Sequence, residues 1–471
     1  MPLSAFNLYV ADYPEPGSTL VHNTLSGGFA VLDDETLSAL RKADAGGELD
    51  PRERALASDP DLSDPDVGIV VESREAEEAE FRAWFERRRR RTTSLDALVG
   101  INLACNFDCP YCCQAEVMNG SVMKPEVADR TADWIARRAL EVGVESVHLA
   151  FCGGEPLLHP ERIVRIAARV REAVAPAGLP VRFHLITNGY FLSDEMVREL
   201  VPHGLTSAQI TLDGDASTHC RTRVSKKGED TFARIFGHAI AASRRIRISI
   251  NGNYTRETVG GFMPLLEQLA GAGLPRRSRV RFTPALEGLA SLDWNGGGMC
   301  TWSEADTAMH MTLQDEILRR GFDTAGLAEV GPCELHDHHS FAIDPAGIIY
   351  KCPAFLGQPI WGIGDVREGL RMDAYERMIR ATPQSSCDGC AHRPSCGGGC
   401  VAATWLKTGE AAGVNCEKPF FERVKEDAVV RRFLLATHDR VEDAVAAFPP
   451  PRSKAHATAP HRRPAALRVV A

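Results

Sequence analysis

The chain has 471 residues, of which 44% are hydrophobic and 25% are charged, and its formal net charge is −9. A chain of this length and composition can bury several cores, so we expect two to four domains. The acidic balance argues against broad electrostatic binding to nucleic acid, which is not an expected partner. The first residues lack a basic stretch followed by an apolar one, and no run of about eighteen apolar residues occurs. We therefore expect a cytoplasmic protein without membrane contact.

The first part of the chain predicts a small α/β module over residues 1–80. A β-like run and a Gly-Gly turn precede a helix whose N-cap is Asp33 or Asp34. A short helical stretch follows, and then a strand at VGIVVES, residues 67–73. Residues 75–91 combine an acidic run with the five consecutive arginines Arg87 to Arg91, which predicts a solvated helix leading into the next domain.

A regular alternation of short β-branched runs and longer amphipathic stretches occupies the next part of the chain. It predicts six β–α units with parallel strands, that is, a partial (β/α)6 TIM-like barrel in an α/β fold. Because the chemistry of such folds lies at the carboxyl ends of the strands, the motifs that follow the strands should share one mouth. The predicted strands are residues 99–103, 147–151, 181–187, 208–212, 245–251 and 279–284.

The segment CNFDCPYCC follows the first of these strands and groups three cysteines as C-x3-C-x2-C, namely Cys105, Cys109 and Cys112. Tyr111 precedes the third, and the side chain of Cys113 should point elsewhere. Thiolates this close repel one another unless a cation or a cluster takes up their charge, so the grouping indicates a metal centre. A closed zinc site takes four ligands, whereas three leave an open position, either on a zinc ion or on one iron of an iron–sulfur cube.

A second cysteine array lies near the C-terminus. The chain contains fourteen cysteines, and in a reducing compartment they are not expected to form a disulfide scaffold. The spacing in this array therefore also favours metal or redox chemistry. Its seven members are Cys333, Cys352, Cys387, Cys390, Cys396, Cys400 and Cys416.

Four motifs together resemble the radical S-adenosylmethionine (SAM) enzymes over about residues 95–290: the cysteine triplet with its aromatic, GGEP after the second strand, TNG after the third and LDG after the fourth. By that resemblance the triplet binds a [4Fe–4S] cluster whose open iron chelates SAM, and cleavage of SAM yields a 5′-deoxyadenosyl radical. Arg223 can also be read as a surface salt bridge, and Asn188 as a turn cap. The resemblance places the following residues at SAM: Tyr111, Gly153, Gly154, Glu155, Asn188, Thr211, Asp213 and Arg223.

The second array, within residues 300–430, resembles the SPASM extension of these enzymes. The resemblance implies two auxiliary clusters, so that the chain would carry three [4Fe–4S] clusters in all. One set is a ligand short: either Cys300 folds back, or an iron stays open to a substrate thiolate, or water or another side chain completes it. The implied ligand sets are Cys387, Cys390, Cys396 and Cys416 for one cluster, and Cys333, Cys352 and Cys400 for the other.

Residues 1–80 loosely resemble the winged-helix peptide-recognition modules associated with peptide-modifying radical SAM enzymes. Such a module would take up a leader peptide as an added strand, whereas the alternative is a cap that only shields the barrel. The resemblances together imply a maturase that abstracts hydrogen from a ribosomally synthesised peptide or protein and installs a thioether or carbon–carbon crosslink, or a related change. A reducing partner such as flavodoxin or ferredoxin is implied as well.

Two alternatives remain. A sulfatase-type maturase would oxidise Cys or Ser to formylglycine, but that group carries Asp directly after the second SPASM cysteine, where this chain has Pro353. A non-catalytic electron-transfer protein would leave the motifs at the strand ends unexplained. No general base can be assigned, because Glu334, Asp344 and Asp365 differ only in position along the sequence. Residues 448–471 are expected to be a disordered tail.

Overall fold

The computed structural model describes residues 2–112, 114–276, 278–284, 304–324, 333–381, 384–408, 410, 413–451 and 469–470. Cys113, Cys300 and, within the expected tail, residues 452–468 and 471 lie outside the described residues. The elements form an N-terminal module, a large mixed sheet with flanking helices, and a C-terminal region that contacts both.

The N-terminal module is a small antiparallel sheet with helices. Its strands are β1 Asn7–Ala11, β2 Ser18–Asn23 and β3 Phe29–Asp33, and its helices are α1 Asp34–Asp44, α2 Pro51–Ala57 and α3 Arg74–Arg89. Asp33 is the N-cap of α1, since its carboxylate accepts a hydrogen bond from the Thr36 N–H at 2.7 Å.

The strand predicted at residues 67–73 is wrong. That segment forms only a single bridge between Val70 and Leu3, while β1, which the sequence reading missed, completes the sheet. The apolar residues Val67, Ile69 and Val70 are instead buried in the core of the module. A run of β-branched residues thus reflects burial here and not a sheet ladder.

Helix α3 is more than a solvated linker. Its Phe81 and Phe85 pack against Phe6 of the N-terminal module. From the other side, the buried guanidinium of Arg393 lies 3.9 Å from the centroid of the Phe81 ring and binds the carboxylate of Glu78. The helix therefore joins the N-terminal module to the C-terminal region.

Six parallel strands form the centre of the large sheet and follow one another in chain order, which confirms the predicted β–α units. The strands are β4 Leu95–Asn102, β5 Val147–Gly153, β6 Val181–Thr187, β7 Leu205–Thr211, β8 Arg247–Tyr254 and β9 Arg279–Pro284. The helices between them are α4 Pro125–Val142, α5 Pro160–Val174, α6 Asp194–Leu200, α7 Ala216–Thr222, α8 Phe232–Ala242 and α9 Phe262–Gly271. In α4, for example, Ala128, Ile135 and Ala139 recur at helical spacing and are buried.

The sheet remains open, as the prediction of a partial barrel requires. Within the described residues β9 pairs only with β8. On one side β4 pairs with β5, and on its other side it pairs in parallel with a strand from the C-terminal region. This strand is followed by three short antiparallel ones, giving ten strands in total. The added strands are β10 Ser340–Ile343, β11 Ile348–Tyr350, β12 Gly364–Asp365 and β13 Gly369–Leu370.

The C-terminal region supplies the remaining helices. They are α10 Glu304–Arg319, α11 Met372–Ile379, α12 Arg393–Cys396, α13 Val401–Thr408, α14 Lys418–Thr437 and α15 Val441–Ala446. Val429, Val430 and Phe433 of α14 share a buried cluster with Leu8 and Phe29 of the N-terminal sheet. In the part of the chain that the structure describes, no helix combines the length and apolarity needed to cross a membrane.

At both ends of residues 448–471, the expected disordered tail, the structure shows contacts with the rest of the chain. Phe448 is buried against α14. The short strand β14 Val469–Val470 pairs antiparallel with β3, with Val469 opposite Ala30 and Val470 opposite Phe29. A composition rich in Pro, Ala and Arg did not indicate either contact.

A buried ion cluster joins α10 to α14. The Nε and Nη2 atoms of Arg431 each lie 2.6 Å from a carboxylate oxygen of Asp315, and its Nη1 lies 3.0 Å from Asp427. The side chains of Arg431 and Asp315 are 0% and 1% exposed. Because water cannot reach either group, removal of one partner would leave the charge of the other buried and uncompensated.

Replacing Arg431 with Met should lower the free energy of unfolding by about 3–5 kcal/mol, because two carboxylates are left buried without their cation. Thermal melting followed by circular dichroism would measure this. Adding Asp315→Leu to Arg431→Met should recover part of the loss. The matched control is Arg440→Met at an exposed arginine, and equal melting temperatures for Arg431→Met and the control would contradict the account.

Candidate functional site

A cavity of about 890 Å³ opens at the carboxyl ends of the parallel strands. Its wall combines the cysteine loop after β4, the ends of β5 to β9, the C-terminal region and the N-terminal sheet. Representative lining residues are Cys109, Thr211, Asn253, Pro353, Val429 and Leu8. One space therefore connects the first cysteine group to all three parts of the chain.

The three cysteines of the loop form a partly buried thiol group beside this cavity, which Cys109 and Cys112 line. Burial raises the pKa of Cys105, and it raises that of Cys109 to about 11, with the neighbouring thiols adding to the shift. The N–H of Phe107 donates to the Sγ of Cys105 at 3.4 Å. Thiols in this setting become thiolates only when a cationic centre compensates their charge, as an iron–sulfur cluster does.

Within the ranges that the structure describes, no three His, Cys, Asp or Glu side chains converge as a single metal ion requires. The thiols of Cys105, Cys109 and Cys112 are close enough to influence one another electrostatically. Three thiols grouped in one loop can supply three ligands to a metal centre and leave one of its positions open.

The Gly153-Gly154 pair packs directly against the start of the cysteine loop. Gly153 has φ +138°, and a Cβ at Gly154 would lie 2.2 Å from the carbonyl oxygen of Ala104. The Gly154 N–H donates to the Asn102 carbonyl at 3.1 Å, and the Glu155 N–H donates to the Ala104 carbonyl at 2.8 Å. The glycines are thus needed for close backbone packing in the turn after β5, and their contact with SAM stays a prediction.

Glu155 lies beneath the cavity wall and is 0% exposed. Its carboxylate accepts hydrogen bonds from the Thr187 hydroxyl, from the Asn188 N–H, both at 2.8 Å, and from the Leu157 N–H at 2.9 Å. Burial raises the pKa of this carboxyl. In this structure Glu155 joins the turn after β5 to the turn after β6, and its contact with the SAM ammonium stays a prediction.

Asn188 continues this network to the cysteine loop. Its Nδ2 donates to the Asn106 side chain at 2.8 Å and lies 3.9 Å from the Sγ of Cys105. Its Oδ1 accepts from the Tyr190 N–H at 2.9 Å, so it also caps the turn. The structure therefore supports the turn-cap reading of Asn188 and places its side chain beside Cys105, while a contact of Asn188 with SAM stays a prediction.

Tyr111, Asp213 and Arg223 form a second network on the opposite side of the loop. The Tyr111 hydroxyl donates to the Asp213 carboxylate, and the Arg223 Nη1 donates to the Tyr111 oxygen at 3.3 Å. Burial raises the pKa of both Tyr111 and Asp213. Tyr111, Arg223 and Thr211 line the cavity, whereas Asp213 lies beneath it and also accepts from the Asn253 N–H at 2.7 Å.

Arg223 forms no ion pair at the protein surface within the described residues. Its guanidinium lies 5.6 Å from the centroid of the Phe107 ring, and its Nε is buried without a hydrogen-bond partner. The structure therefore argues against the salt-bridge reading and leaves a donor free for an anionic ligand group.

Charge interactions among the seven C-terminal cysteines fall within the two predicted groups, and the clusters that these groups would hold stay a prediction. Cys387 interacts electrostatically with Cys390 and Cys416, and Cys396 with Cys387 and Cys390. In the other group the charges of Cys333 and Cys400 act on Cys352. Burial raises the pKa of Cys396 to about 11 and that of Cys352 to about 12, so both groups have the same need for a compensating cationic centre as the first.

None of the three candidate general bases lines the cavity. Asp344 accepts from the Tyr350 hydroxyl at 2.8 Å and from backbone N–H groups of its own turn. Asp365 pairs with Arg367 at 2.5 Å. Glu334 lies outside the cavity wall and is exposed to solvent. Asp344 and Asp365 therefore stabilise the folded chain.

Several polar lining residues were missed by sequence reasoning. Asn251 and Asn253 of β8, and Arg281 and Thr283 of β9, all line the cavity. Each pair is spaced by two, the period of one strand face, and lies at a carboxyl end. This spacing of polar residues at the end of a strand is the sequence signal that could have identified them as lining residues.

The comparisons with known proteins agree with this geometry. Residues 101–276 match the family model of the Radical SAM superfamily. These residues form a radical SAM domain, and the chain is an enzyme. The recognition made from the motifs is confirmed, and this domain implies a [4Fe–4S] cluster and SAM, which the three thiols beside an open cavity fit.

Three known proteins illustrate the likeness. The mycofactocin maturase MftC of Mycobacterium ulcerans is 25% identical over 329 residues, which cover 65% of this chain and 82% of that protein. The structure of anSMEcpe with bound AdoMet and Cp18Cys peptide has a TM-score of 0.58 and 18% identity, covering 72% of this chain and 99% of that one. The structure of Streptococcus suis SuiB bound to precursor peptide SuiA has a TM-score of 0.50 and 17% identity, covering 88% and 99%. The two structures share the fold.

The close packing of Gly154 gives a direct test of the site. Gly154→Ala should displace the cysteine loop, because its Cβ would meet the Ala104 backbone, and overpacking of this kind costs about 1–3 kcal/mol. We expect less iron to be incorporated on anaerobic reconstitution, measured per chain by a colorimetric iron assay. Gly237→Ala, at a helical glycine with nothing within 4 Å of the added Cβ, should keep the iron content of the native chain. Equal iron contents in both variants would contradict the proposed packing.

Proposed function

We propose that this enzyme is a maturase that abstracts a hydrogen atom from a ribosomally synthesised peptide or protein and installs a thioether or carbon–carbon crosslink, or a related side-chain change. The observation that carries the proposal is the single cavity that runs from the cysteine loop to the C-terminal cysteine region and the N-terminal sheet. A space of this extent can hold SAM and an extended peptide segment together.

The chain would position the reacting groups and exclude water from them. When bound, the cluster and SAM supply the 5′-deoxyadenosyl radical that abstracts the hydrogen atom. Cys105, Cys109 and Cys112 would hold the cluster. Tyr111 would face the adenine, and the Arg223 guanidinium would bind the SAM carboxylate.

The two C-terminal cysteine groups would hold two auxiliary [4Fe–4S] clusters, and a flavodoxin or ferredoxin would supply electrons. Pro353 lines the cavity and directly follows Cys352, so the cluster of that group would lie beside the substrate. A cluster there could accept the electron left on the product or bind a substrate sulfur. Because the wall at this point is proline and not a carboxylate, the sulfatase-type reaction is less well supported.

The N-terminal module would bind the leader part of the substrate as an added strand. The outer edge of β3 already pairs with the chain's own β14, so this edge can accept an extended segment in antiparallel register. A leader peptide bound at the same edge would start close to the cavity, which Leu8 and His22 of the same sheet line.

The first test of the function is cleavage of SAM. The anaerobically reconstituted, dithionite-reduced chain should form 5′-deoxyadenosine from SAM, detected by liquid chromatography and mass spectrometry. A Cys105/Cys109/Cys112→Ala variant should form none, because no cluster would hold SAM. Absence of product from the native chain, with iron incorporation confirmed, would contradict the enzyme function.

The second test concerns the β3 edge. A chain ending at residue 451 should bind a synthetic AALRVVA peptide, which corresponds to residues 465–471, because the edge is then free. The full-length chain should bind it more weakly, since its own β14 competes, and titration calorimetry would compare the two.

The control peptide is AALRPPA, because proline has no N–H to donate to a β-ladder. It should bind neither protein. Equal binding of AALRVVA by the truncated and full-length chains would contradict strand addition at this edge.

A further inference from the structure

An apolar turn of the C-terminal region is open to solvent. Among the described residues, Ile360 is the large hydrophobic side chain with the greatest exposure, 83%. It lies in a short 3₁₀ turn, Pro359–Trp361, whose Trp361 is partly exposed. Met372, at the start of α11, is 56% exposed as well. Single exposed apolar residues are ordinary, whereas several that lie together mark an interaction surface.

Arg371 holds the start of α11 beside this turn. Its backbone N–H donates to the Ile363 carbonyl at 2.8 Å, and its guanidinium donates to the Gly362 carbonyl. Arg371 is exposed and forms no ion pair with any residue that the structure describes. A cation therefore borders the exposed apolar side chains. We call this surface the Ile360 patch, and its members are Ile360, Trp361, Arg371 and Met372.

Aromatic side chains connect the patch to a cysteine group. The Trp361 ring stacks on Phe355, with centroids 5.1 Å apart, and meets the Trp405 ring edge-on at 4.6 Å. Phe355 lies in the turn after Cys352, and its N–H donates to the Cys352 carbonyl at 3.1 Å. Trp405 lies on α13, which begins directly after Cys400. Aromatic contacts thus extend from the exposed turn to the chain beside two cysteines of one group.

The segment from Cys352 to Trp361 reaches both the cavity and the surface. Pro353 and Gln358 line the cavity, whereas no member of the Ile360 patch is among its described lining residues. One part of this segment would therefore connect a cluster bound by the Cys352 group to the substrate space. Another part would connect the same cluster to the exterior.

The size and the charge of the patch favour a transient partner. A stable interface buries about 800 Å² on each partner, which three apolar side chains cannot supply. Electron-transfer partners bind through smaller interfaces, because each contact has to last only for the passage of an electron. The Arg371 guanidinium favours a partner with an acidic surface.

We propose that the Ile360 patch is the docking site of a small acidic one-electron carrier protein, which passes electrons to the cluster held by Cys333, Cys352 and Cys400. The inference rests on the proposed function, which supplies that cluster and the need for a reductant. With a fully reduced flavodoxin as the carrier, the flavin loses one electron and becomes a semiquinone. The cluster gains that electron, and no bond forms or breaks.

The test follows electron transfer from fully reduced flavodoxin to the oxidised, cluster-loaded full-length chain in an anaerobic stopped-flow spectrophotometer. Ile360→Asp should lower the second-order rate constant by about tenfold or more, because it removes the apolar anchor and places a negative charge opposite an acidic partner. Arg371→Gln should lower the rate at low salt and make it less dependent on ionic strength. Transfer should persist in the Cys105/Cys109/Cys112→Ala variant, whose acceptors are the auxiliary clusters.

Matched controls make the same chemical changes on and beside α15. Val441→Asp alters another large hydrophobic side chain, which is 48% exposed, and Arg440→Gln alters another exposed arginine. Both should transfer electrons at the rate of the native chain. All four surface variants should form 5′-deoxyadenosine at the native rate with dithionite, because a small reductant needs no docking site.

Three results would overturn the inference: flavodoxin fails to reduce the native chain, Ile360→Asp and Val441→Asp transfer electrons at equal rates, or transfer stops in the triple cysteine variant. Light scattering covers another occupant of the patch. A native dimer that Ile360→Asp converts to a monomer, with unchanged transfer from flavodoxin, would assign the patch to a second copy of the chain and also overturn the inference. In each case dithionite-driven SAM cleavage by the native chain would leave the proposed function standing, and its absence would contradict that function.

Discussion

The buried hydrogen bonds of Glu155 are the constraint on which the site depends. The Glu155 carboxylate binds the turn after β6, while its backbone carbonyl accepts from the Asn102 side chain at the end of β4 at 2.8 Å. Three strand ends are thereby fixed around the cysteine loop. Because the carboxylate is fully buried, losing any of its donors would leave an unsatisfied charge, so the arrangement is held strongly.

The same constraint explains the glycines that precede it. Close backbone contact between the turn after β5 and the segment before Cys105 leaves no room for a Cβ at Gly154. The first cysteine is therefore held by packing as well as by its own loop. A centre that compensates buried thiols can then bind at a fixed position beside the cavity.

The cavity itself depends on contacts distant in sequence. β10 occupies the edge of β4, so the sheet does not close there, and α14 closes part of the open side. The buried Arg431 with Asp315 ties α14 to α10, and Phe433 of α14 packs on the N-terminal sheet. The substrate space is thus shaped jointly by three regions of the chain.

Local patterns allowed much of this to be predicted. The six parallel strands and the C-x3-C-x2-C loop follow from short-range spacing, whereas the two C-terminal cysteine groups and the residues around the loop were expected from the resemblance to a known family. The partnership of His22 with Arg432 could not be predicted, because 410 residues separate them. The hydrogen bonds of Glu155 and the close packing of the glycine pair could not be predicted, because sequence does not reveal which backbone lies across a turn, and the contacts of these residues with SAM stay a prediction.

The most direct test of the central claim is electron paramagnetic resonance of the reduced chain during a titration with SAM. We predict that one [4Fe–4S] signal changes as SAM binds, and that this signal is absent in a Cys105→Ala variant while any signals from the proposed auxiliary clusters remain. Spectra unaffected by SAM, or a SAM-dependent change that persists in Cys105→Ala, would contradict the assignment of this loop as the SAM-binding centre.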